Sequence, residues 1–443
     1  MRPPPPIGLP CRKTSCWPLW RRWNLDIPNL VRSGAVCTSW RDAYNTFCLL
    51  YACDEYGPNE AALYCPSTSA TFRVPFPGPP HEKRGFVFSC HGWVFAADEV
   101  GDPYLFNPAT GVQAALPPVN TIMVRVRGKN FYDHEGKHVF ELDSVDENGD
   151  PKTDVLWARD SEYIRVAISP AAEVTACTVL ILHCPSSKLS FAKPGDKRWA
   201  LLPNFQTGRV SDVLYNDKDG LFYVLHNTAI SAVDLNGPRP RVRVTMRSTM
   251  ILRTADMYLV IAPSGELQVW RMRHTIDTPL KNRSTYKDIV DYVIDDGIEL
   301  ANKNGSDRVS ETVIDDQHHI DAKELPNNEV NTTEVLVFKV DMDRQKLVEL
   351  QDIGDCTIFL GFNAAVCLST KDTTLQPNCI YLTDDYDLPS NERMLRNDLG
   401  IWNIKKRSMQ NLGDAWPIMH SWLDLPAPIW ITPSLATGVE KQY

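Results

Sequence analysis

From about Phe72 onward the chain alternates short apolar runs with polar turns, the pattern of strands rather than of helices. Gly85-Phe86-Val87-Phe88 is followed by Gly92-Trp93-Val94-Phe95-Ala96 and by Tyr104-Leu105-Phe106. The third run ends in Asn107-Pro108-Ala109-Thr110-Gly111, and a fourth, Val112 to Leu116, ends in Pro117-Pro118. Asn, Pro and Gly there supply the capped and positive-φ conformations that reverse a chain. Comparable runs return at Tyr163–Ile168, Thr178–His183, Leu189–Ala192, Val210–Tyr215, Leu221–Leu225, Ile230–Leu235, Tyr258–Ile261 and Leu267–Trp270. Later ones are Val335–Val340, Leu347–Leu350, Thr357–Leu360, Ala365–Leu368, Cys379–Thr383 and Gly400–Ile404.

One unit recurs: an apolar strand entering a polar turn, as in LFNPATG at 105–111, AVDLNGP at 232–238, VFKVDMDRQK at 337–346 and IWNIKKRSM at 401–409. The turns fall near Asn107, Leu235, Asp341 and Asn403, compatible with multiples of a period of roughly 40–50 residues. Small sheets repeated at that period bury both faces against their neighbours, which is how a β-propeller is built. A pair of β-sandwiches has similar strand density but does not explain the repetition. The expected fold is therefore all-β, a propeller of six or seven four-stranded blades over residues 70–436.

Ahead of the strands the period changes. Val31, Ala35, Val36, Trp40, Ala43, Tyr44 and Phe47 recur at three- to five-residue steps, placing them on one side of a helix over Asn29–Asn45. Such a short helix must dock on something.

A length of 443 residues exceeds the ~250–300 at which a single core stops growing, consistent with a repeat architecture or two domains. No apolar run approaches the ~18–20 residues that cross a bilayer. The formal net charge of −9 is uneven: Asp288 to Glu334 holds thirteen acids against Lys303, Arg308 and Lys323. That segment alone carries −10, so the body is nearly neutral and offers no broad field for nucleic acid. An acidic insert at about 280–334, poor in aromatics, reads as a solvated loop or a surface for a basic partner. The twelve cysteines show no tight spacing and sit in apolar runs such as Val36-Cys37, which reads as buried reduced thiols. Residues 1–26 form a Pro/Arg-rich leader without the apolar stretch of a secretory signal; its prolines also oppose the helix of a transit peptide.

Candidate chemistry is sparse. Cys11 and Cys16 lack a second ligand pair, and Asp315-Asp316 with His318-His319 falls in the acidic insert. Cys90-His91 and His183-Cys184 are sequence neighbours, which point to opposite faces of a strand and cannot pair as nucleophile and base. No phosphate-binding Gly-rich motif and no Gly-x-Ser-x-Gly occurs. Neither a catalytic, metal nor cofactor site is expected. Trp93, Trp157, Trp199, Trp270, Trp402 and Trp430 lie in or beside strands and read as packing residues, although one or two could line a propeller's mouth.

Val36-Cys37-Thr38-Ser39-Trp40-Arg41 resembles the end of a plant F-box. His91-Gly92-Trp93, Phe106 to Gly111 and Ala115 to Val119 resemble the opening of the F-box-associated domain of unknown function, the KIB-type β-propeller. Tyr258 to Arg271, Val337 to Asp341, Ile353-Gly354-Asp355, Leu360-Gly361, Asn378 to Asp385 and Pro428 to Ser434 are similar to that family's later motifs in order. The resemblance implies a substrate receptor of a Skp-cullin-F-box ubiquitin ligase, acting in the nucleus or cytoplasm, less readily in an organelle. Its implied partners are a Skp-type adaptor, a cullin and a target protein, with no membrane or nucleic acid. Leu30, Val31, Val36, Cys37 and Trp40 are the adaptor-interface candidates within a partial F-box over 27–50. The first half of the F-box pattern is missing, because Trp17-Pro18-Leu19-Trp20-Arg21-Arg22-Trp23 stands where Leu-Pro and an acid are expected. A non-catalytic interaction protein that has lost adaptor docking is the alternative.

Overall fold

The computed structural model describes residues 47–53, 56–66, 70–78, 87–122, 163–183, 188–202, 210–226, 229–247, 255–275, 330–371, 375–383, 398–412 and 427–434, with 125–126, 129–130, 373, 385 and 438–439 between or after them. These residues form an all-β protein whose strands follow one another in groups. The first group is β1 (Cys48–Tyr51), β2 (Glu60–Cys65) and β3 (Ala70–Pro75), and the second is β4 (Val87–Cys90), β5 (Trp93–Ala97), β6 (Pro103–Phe106) and β7 (Gln113–Ala115). After a small hairpin, β8 (Arg125–Val126) and β9 (Lys129–Asn130), come β10 (Tyr163–Ile168), β11 (Val179–His183), β12 (Lys188–Ala192) and β13 (Ala200–Leu201). The fourth group is β14 (Val210–Asn216), β15 (Leu221–His226), β16 (Ala229–Asp234) and β17 (Arg241–Arg247). The fifth is β18 (Ala255–Ala262), β19 (Gly265–Thr275), β20 (Val330–Asp341) and β21 (Lys346–Leu350). Last come β22 (Cys356–Leu360), β23 (Val366–Ser369), β24 (Cys379–Leu382), β25 (Gly400–Asn403), β26 (Ser408–Asn411) and β27 (Ile429–Ile431).

Each of the second to fourth groups is an antiparallel sheet in chain order, whereas β18 to β26 are joined in one sheet by a single parallel bridge, Ile261 to Val366. The innermost strands of neighbouring sheets pack side by side: β27 on β4, β4 on β10, β10 on β14, β14 on β18, and β18 on β23. The arrangement is a β-propeller. Its ends are joined by β27, which pairs antiparallel with β1 through Cys48–Ile431, Leu49–Trp430 and Leu50–Ile429. Ser89 of β4 reinforces the closure by donating its Oγ to the Trp430 carbonyl, while its backbone bonds Phe362 O at 3.0 Å and Ala364 N at 2.8 Å.

Burial falls from the ring's centre outward. Strands β4, β5, β11 and β24 are buried at every position, which is why they read as unbroken apolar runs: a sheet covered on both faces has no polar side to alternate with. Outer strands β13, β17 and β26 are largely exposed. The four turns aligned in the sequence, at Asn107, Leu235, Asp341 and Asn403, all lead into an outermost strand, β7, β17, β21 or β26. At the first of them Asn107 Oδ1 accepts from Ala109 N at 2.9 Å and Thr110 N at 3.2 Å, and Gly111 takes a φ of 73°.

Three expectations need correction. The sheets begin before residue 70, because β1 and β2 belong to the ring and residues 48–50, placed in the F-box region, are strand. Phe47, counted on the helix's apolar face, instead packs its ring 4.1 Å from Phe359 and 6.4 Å from Trp430. Cys48 and Cys65, opposite one another on β1 and β2, form a disulfide rather than two free thiols. Cys90, Cys177, Cys356, Cys367 and Cys379 are free. Trp93, Trp199, Trp270, Trp402 and Trp430 are buried as expected, while Trp157 lies outside the described residues.

The His91-Gly92 turn shows how local sequence serves the ring. Both residues have positive φ, 51° and 78°, as a two-residue hairpin requires. A Cβ on Gly92 would stand 2.7 Å from both Thr432 O and Ser434 Cβ, in the segment that follows β27. Trp93 Nε1 and Asn107 Nδ2 bond the carbonyls of Gly438 and Ser434 in that same stretch, each at 2.9 Å. Gly92→Ala is expected to lower stability by about 1–2 kcal/mol through strain alone. Protease cleavage near residue 434, faster in the variant than in wild type, checks that the clash also loosens the segment.

Candidate functional site

At the strand ends from which the two longest connections of the fifth and sixth groups depart lies a buried network of charges. It draws on Arg165 from β10, Asp212 from β14, Tyr258 from β18, Arg271 from β19, Thr332 from β20, and Asp385 and Asp398, which flank the connection from β24 to β25. Arg165 and Asp212 each adjoin a register shift, between Tyr163 and Arg165 and between Val210 and Asp212. A bulge re-aims the side chain beside it, which is how two apolar inner strands come to supply charges to one cluster.

Arg271 is fully buried and every nitrogen of its guanidinium is used. Nη1 donates to Asp385 Oδ1 at 3.1 Å and Thr383 O at 2.7 Å; Nη2 donates to Asp398 Oδ2 at 2.7 Å and to Asp398 O at 3.1 Å; Nε donates to Thr332 Oγ1 at 2.7 Å. Asp398 also accepts from Thr332 N at 3.0 Å and Thr332 Oγ1 at 2.6 Å. Asp385 accepts from Arg165 Nη2 at 3.0 Å and from the Tyr258 hydroxyl at 2.9 Å. Asp212 accepts from the backbone N–H groups of Leu259 and Val213, and its carboxylate lies 4.0 Å from Arg165 Nε.

Burial is costly for each charge. It pushes the Asp212 carboxyl up to about 6, with Arg165 and the two N–H bonds holding it back. Burial acts to lower the Arg165 pKa, but Asp385, Tyr258, Asp212 and Asp256 outweigh it, so that guanidinium stays firmly protonated. Arg165 Nη1 donates to the Ile164 carbonyl and Arg165 Nε makes no hydrogen bond among the described residues, while the Arg271 guanidinium is fully engaged by its neighbours. Chemically it can clamp, fixing the roots of connections 276–329 and 386–397, and nothing in its bonding points to acid–base work.

Leu30, Val31, Val36, Cys37 and Trp40 lie outside the described residues, as do Cys11, Cys16, Asp315, Asp316, His318 and His319. Among the described residues no three His, Cys, Asp or Glu side chains gather as a metal-holding group. Burial drives the Cys90 thiol upward, away from the range in which it would act as a nucleophile. His91 sits in the turn after β4, not on a strand face opposite Cys90. His183 pairs through Nε2 with Ser190 Oγ at 2.9 Å, but both are fully buried on adjacent strands, so the contact satisfies two polar groups rather than presenting a nucleophile. Sequence reasoning missed this pair and the Arg271 network. The second had one legible trace, a charged Arg directly after the apolar pair Val269-Trp270.

Residues 63–403 of this propeller match one family model, the KIB1-4 beta-propeller. The chain belongs to the KIB1-4 beta-propeller family. No curated protein matches it in sequence. Solved structures similar to this KIB1-4 propeller include YCF48 bound to D1 peptide, at 11% identity, 48% of this chain, 58% of that one and a TM-score of 0.26. A nidogen/laminin complex aligns at 12% identity over 51% of this chain and 69% of that one, with a TM-score of 0.27. TolB from Acinetobacter baumannii aligns at 11% identity over 56% of this chain and 63% of that one, with a TM-score of 0.21.

One titration in the KIB1-4 fold is open to measurement. Burial lowers the His226 pKa from its ordinary 6.5 to about 4. As pH falls through that window the unfolded chain takes up the proton first, so native stability declines. Asp212 works the other way: its pKa is raised from 3.8 to about 6, so its contribution grows as pH falls from 6 toward 4. His226→Leu is expected to remove only the first effect. Between about pH 7 and about pH 5 the variant should lose roughly 2 kcal/mol less stability than wild type, read from urea melts at each pH.

Proposed function

We propose that the chain is the substrate-recognition subunit of a cullin-RING ubiquitin ligase of the Skp-cullin-F-box type, working in the nucleus or cytoplasm. A six-bladed propeller, with β27, β4, β10, β14, β18 and β23 as its inner strands, holds the target protein without catalysing a reaction on it. The segment ahead of it docks on the Skp-type adaptor, which links to the cullin. The observation that carries this function is one of order along the chain: Val36-Cys37-Thr38-Ser39-Trp40-Arg41 stands directly ahead of β1, the strand on which the ring closes. A rigid closed ring beside a short apolar segment couples one partner to another. The saturated Arg271 network supports a holding role over a reacting one.

Purified full-length chain is expected to retain a Skp-type adaptor, and Val36→Asp with Trp40→Asp to weaken that capture roughly thirtyfold, the scale of an interface hot spot. Unchanged capture by the double variant rejects the docking role. Absence of capture by wild type favours the second reading, an interaction protein without adaptor docking, which the Trp17 to Trp23 sequence also supports.

A further inference from the structure

Strand β17 is the longest outer strand of the ring. It is seven residues long, against six for β3, three for β7, two for β13, five for β21 and four for β26. It ends its sheet, so among the described residues one edge pairs with β16 and the other with no strand. At its C-terminal end Gln345 caps that free edge, accepting from Arg247 N at 3.0 Å and donating to Thr245 O at 2.9 Å. Among the described residues the stretch Arg241 to Val244 has no such cap, and Val242 and Val244 are 38% and 45% exposed.

The charge there runs against the rest of the protein. Between Gly237 and Thr254 the chain carries Arg239, Arg241, Arg243, Arg247 and Arg253 and no acid, in a molecule of net charge −9. On β16 the one acid in register is Asp234, opposite Arg241, and its Oδ1 accepts from Asn236 N at 2.9 Å. Edge arginines commonly serve to discourage strand pairing between molecules. Two exposed valines between them work against that purpose and suit a selected strand instead.

We propose that β17 is a docking edge for an extended acidic segment of a partner protein, which adds a strand beside Arg241–Val244. Its main chain would bond the open edge, its carboxylates would meet Arg239, Arg241 and Arg243, and its alternate apolar side chains would cover Val242 and Val244. Pro240, just before the strand, carries no N–H and fixes where such pairing begins. The inference rests on the propeller as the part that holds a partner and not on adaptor docking, so it is tested with no adaptor present.

The probe is a fluorescein-labelled peptide of alternating Glu/Asp and Val, titrated with the full-length chain and followed by anisotropy. Binding that weakens roughly tenfold or more in Arg241→Glu with Arg243→Glu, and falls with added salt, is the expected result. Val244→Lys, which leaves the arginines in place, should weaken it too, and oligoglutamate without valine should bind less well. Circular dichroism melts matching wild type confirm that these exposed changes leave the fold intact. No binding, or binding indifferent to the arginines, overturns the proposal. So does preferential binding to vesicles of anionic lipid, dissociation of a wild-type dimer by Val244→Lys, or peptide binding that appears only when residues 288–328 are deleted, which would assign the edge to the chain's own acidic segment.

Discussion

Arg271→Met will lower the stability of the propeller by about 3–5 kcal/mol, the usual cost of removing one partner from a buried ion network. The Arg271 side chain is fully buried between Asp385 and Asp398, which are 0% and 4% exposed at their side chains. Methionine fills similar volume but donates nothing, so Asp398 loses the Arg271 counter-charge, while Asp385 keeps Arg165 and the Tyr258 hydroxyl. The stranded carboxylates are then favoured in their protonated form, so the deficit should shrink as pH is lowered from about 8 to about 5. Arg271→Lys keeps the charge but cannot reproduce a fork that reaches Thr332, Thr383, Asp385 and Asp398 together, and should fall between wild type and Met. Urea melts decide the matter. A loss below about 1 kcal/mol at neutral pH would mean that the cluster is not the clamp described here.

Trp430→Ala is expected to cost a similar 3–5 kcal/mol, the range for truncating a large buried aromatic. The ring is fully buried with Phe359 at 5.2 Å, Tyr381 at 6.1 Å and Phe47 at 6.4 Å. Its strand has three residues and is the one that joins the chain's two ends, so packing rather than ladder length must hold it. The cavity therefore falls where opening the ring is easiest. Hydrogen exchange should show protection lost first along β1 and β27, with β11 and β15 retaining theirs. Uniform loss over all sheets, or a cost near zero, would contradict closure by packing.

Both substitutions act at places the sequence marked unequally. Trp430 was legible as a packing residue because a strand buried on both faces must be apolar throughout. The Arg271 network was not, because its members come from seven strands or strand ends spread from Arg165 to Asp398, two of them brought inward by bulges. Nor did the pattern reveal β13, β17 and β26: outer strands have lost the covering sheet that makes a strand look apolar. For the adaptor candidates Leu30, Val31, Val36, Cys37 and Trp40, resemblance to the end of an F-box is the ground on which they stand.

The sequence by itself determined the all-β class, the repeated strand-and-turn unit and the burial of Trp93, Trp199, Trp270, Trp402 and Trp430, because these follow from short-range periodicity and turn chemistry. Only the tertiary structure decided that Ile429–Ile431 closes on Cys48–Tyr51, that Cys48 bonds Cys65, and that two arginines and three aspartates share one buried cluster. Those pairings join residues far apart in the chain. Their energy depends on desolvation and geometry at the meeting point, which no local pattern records.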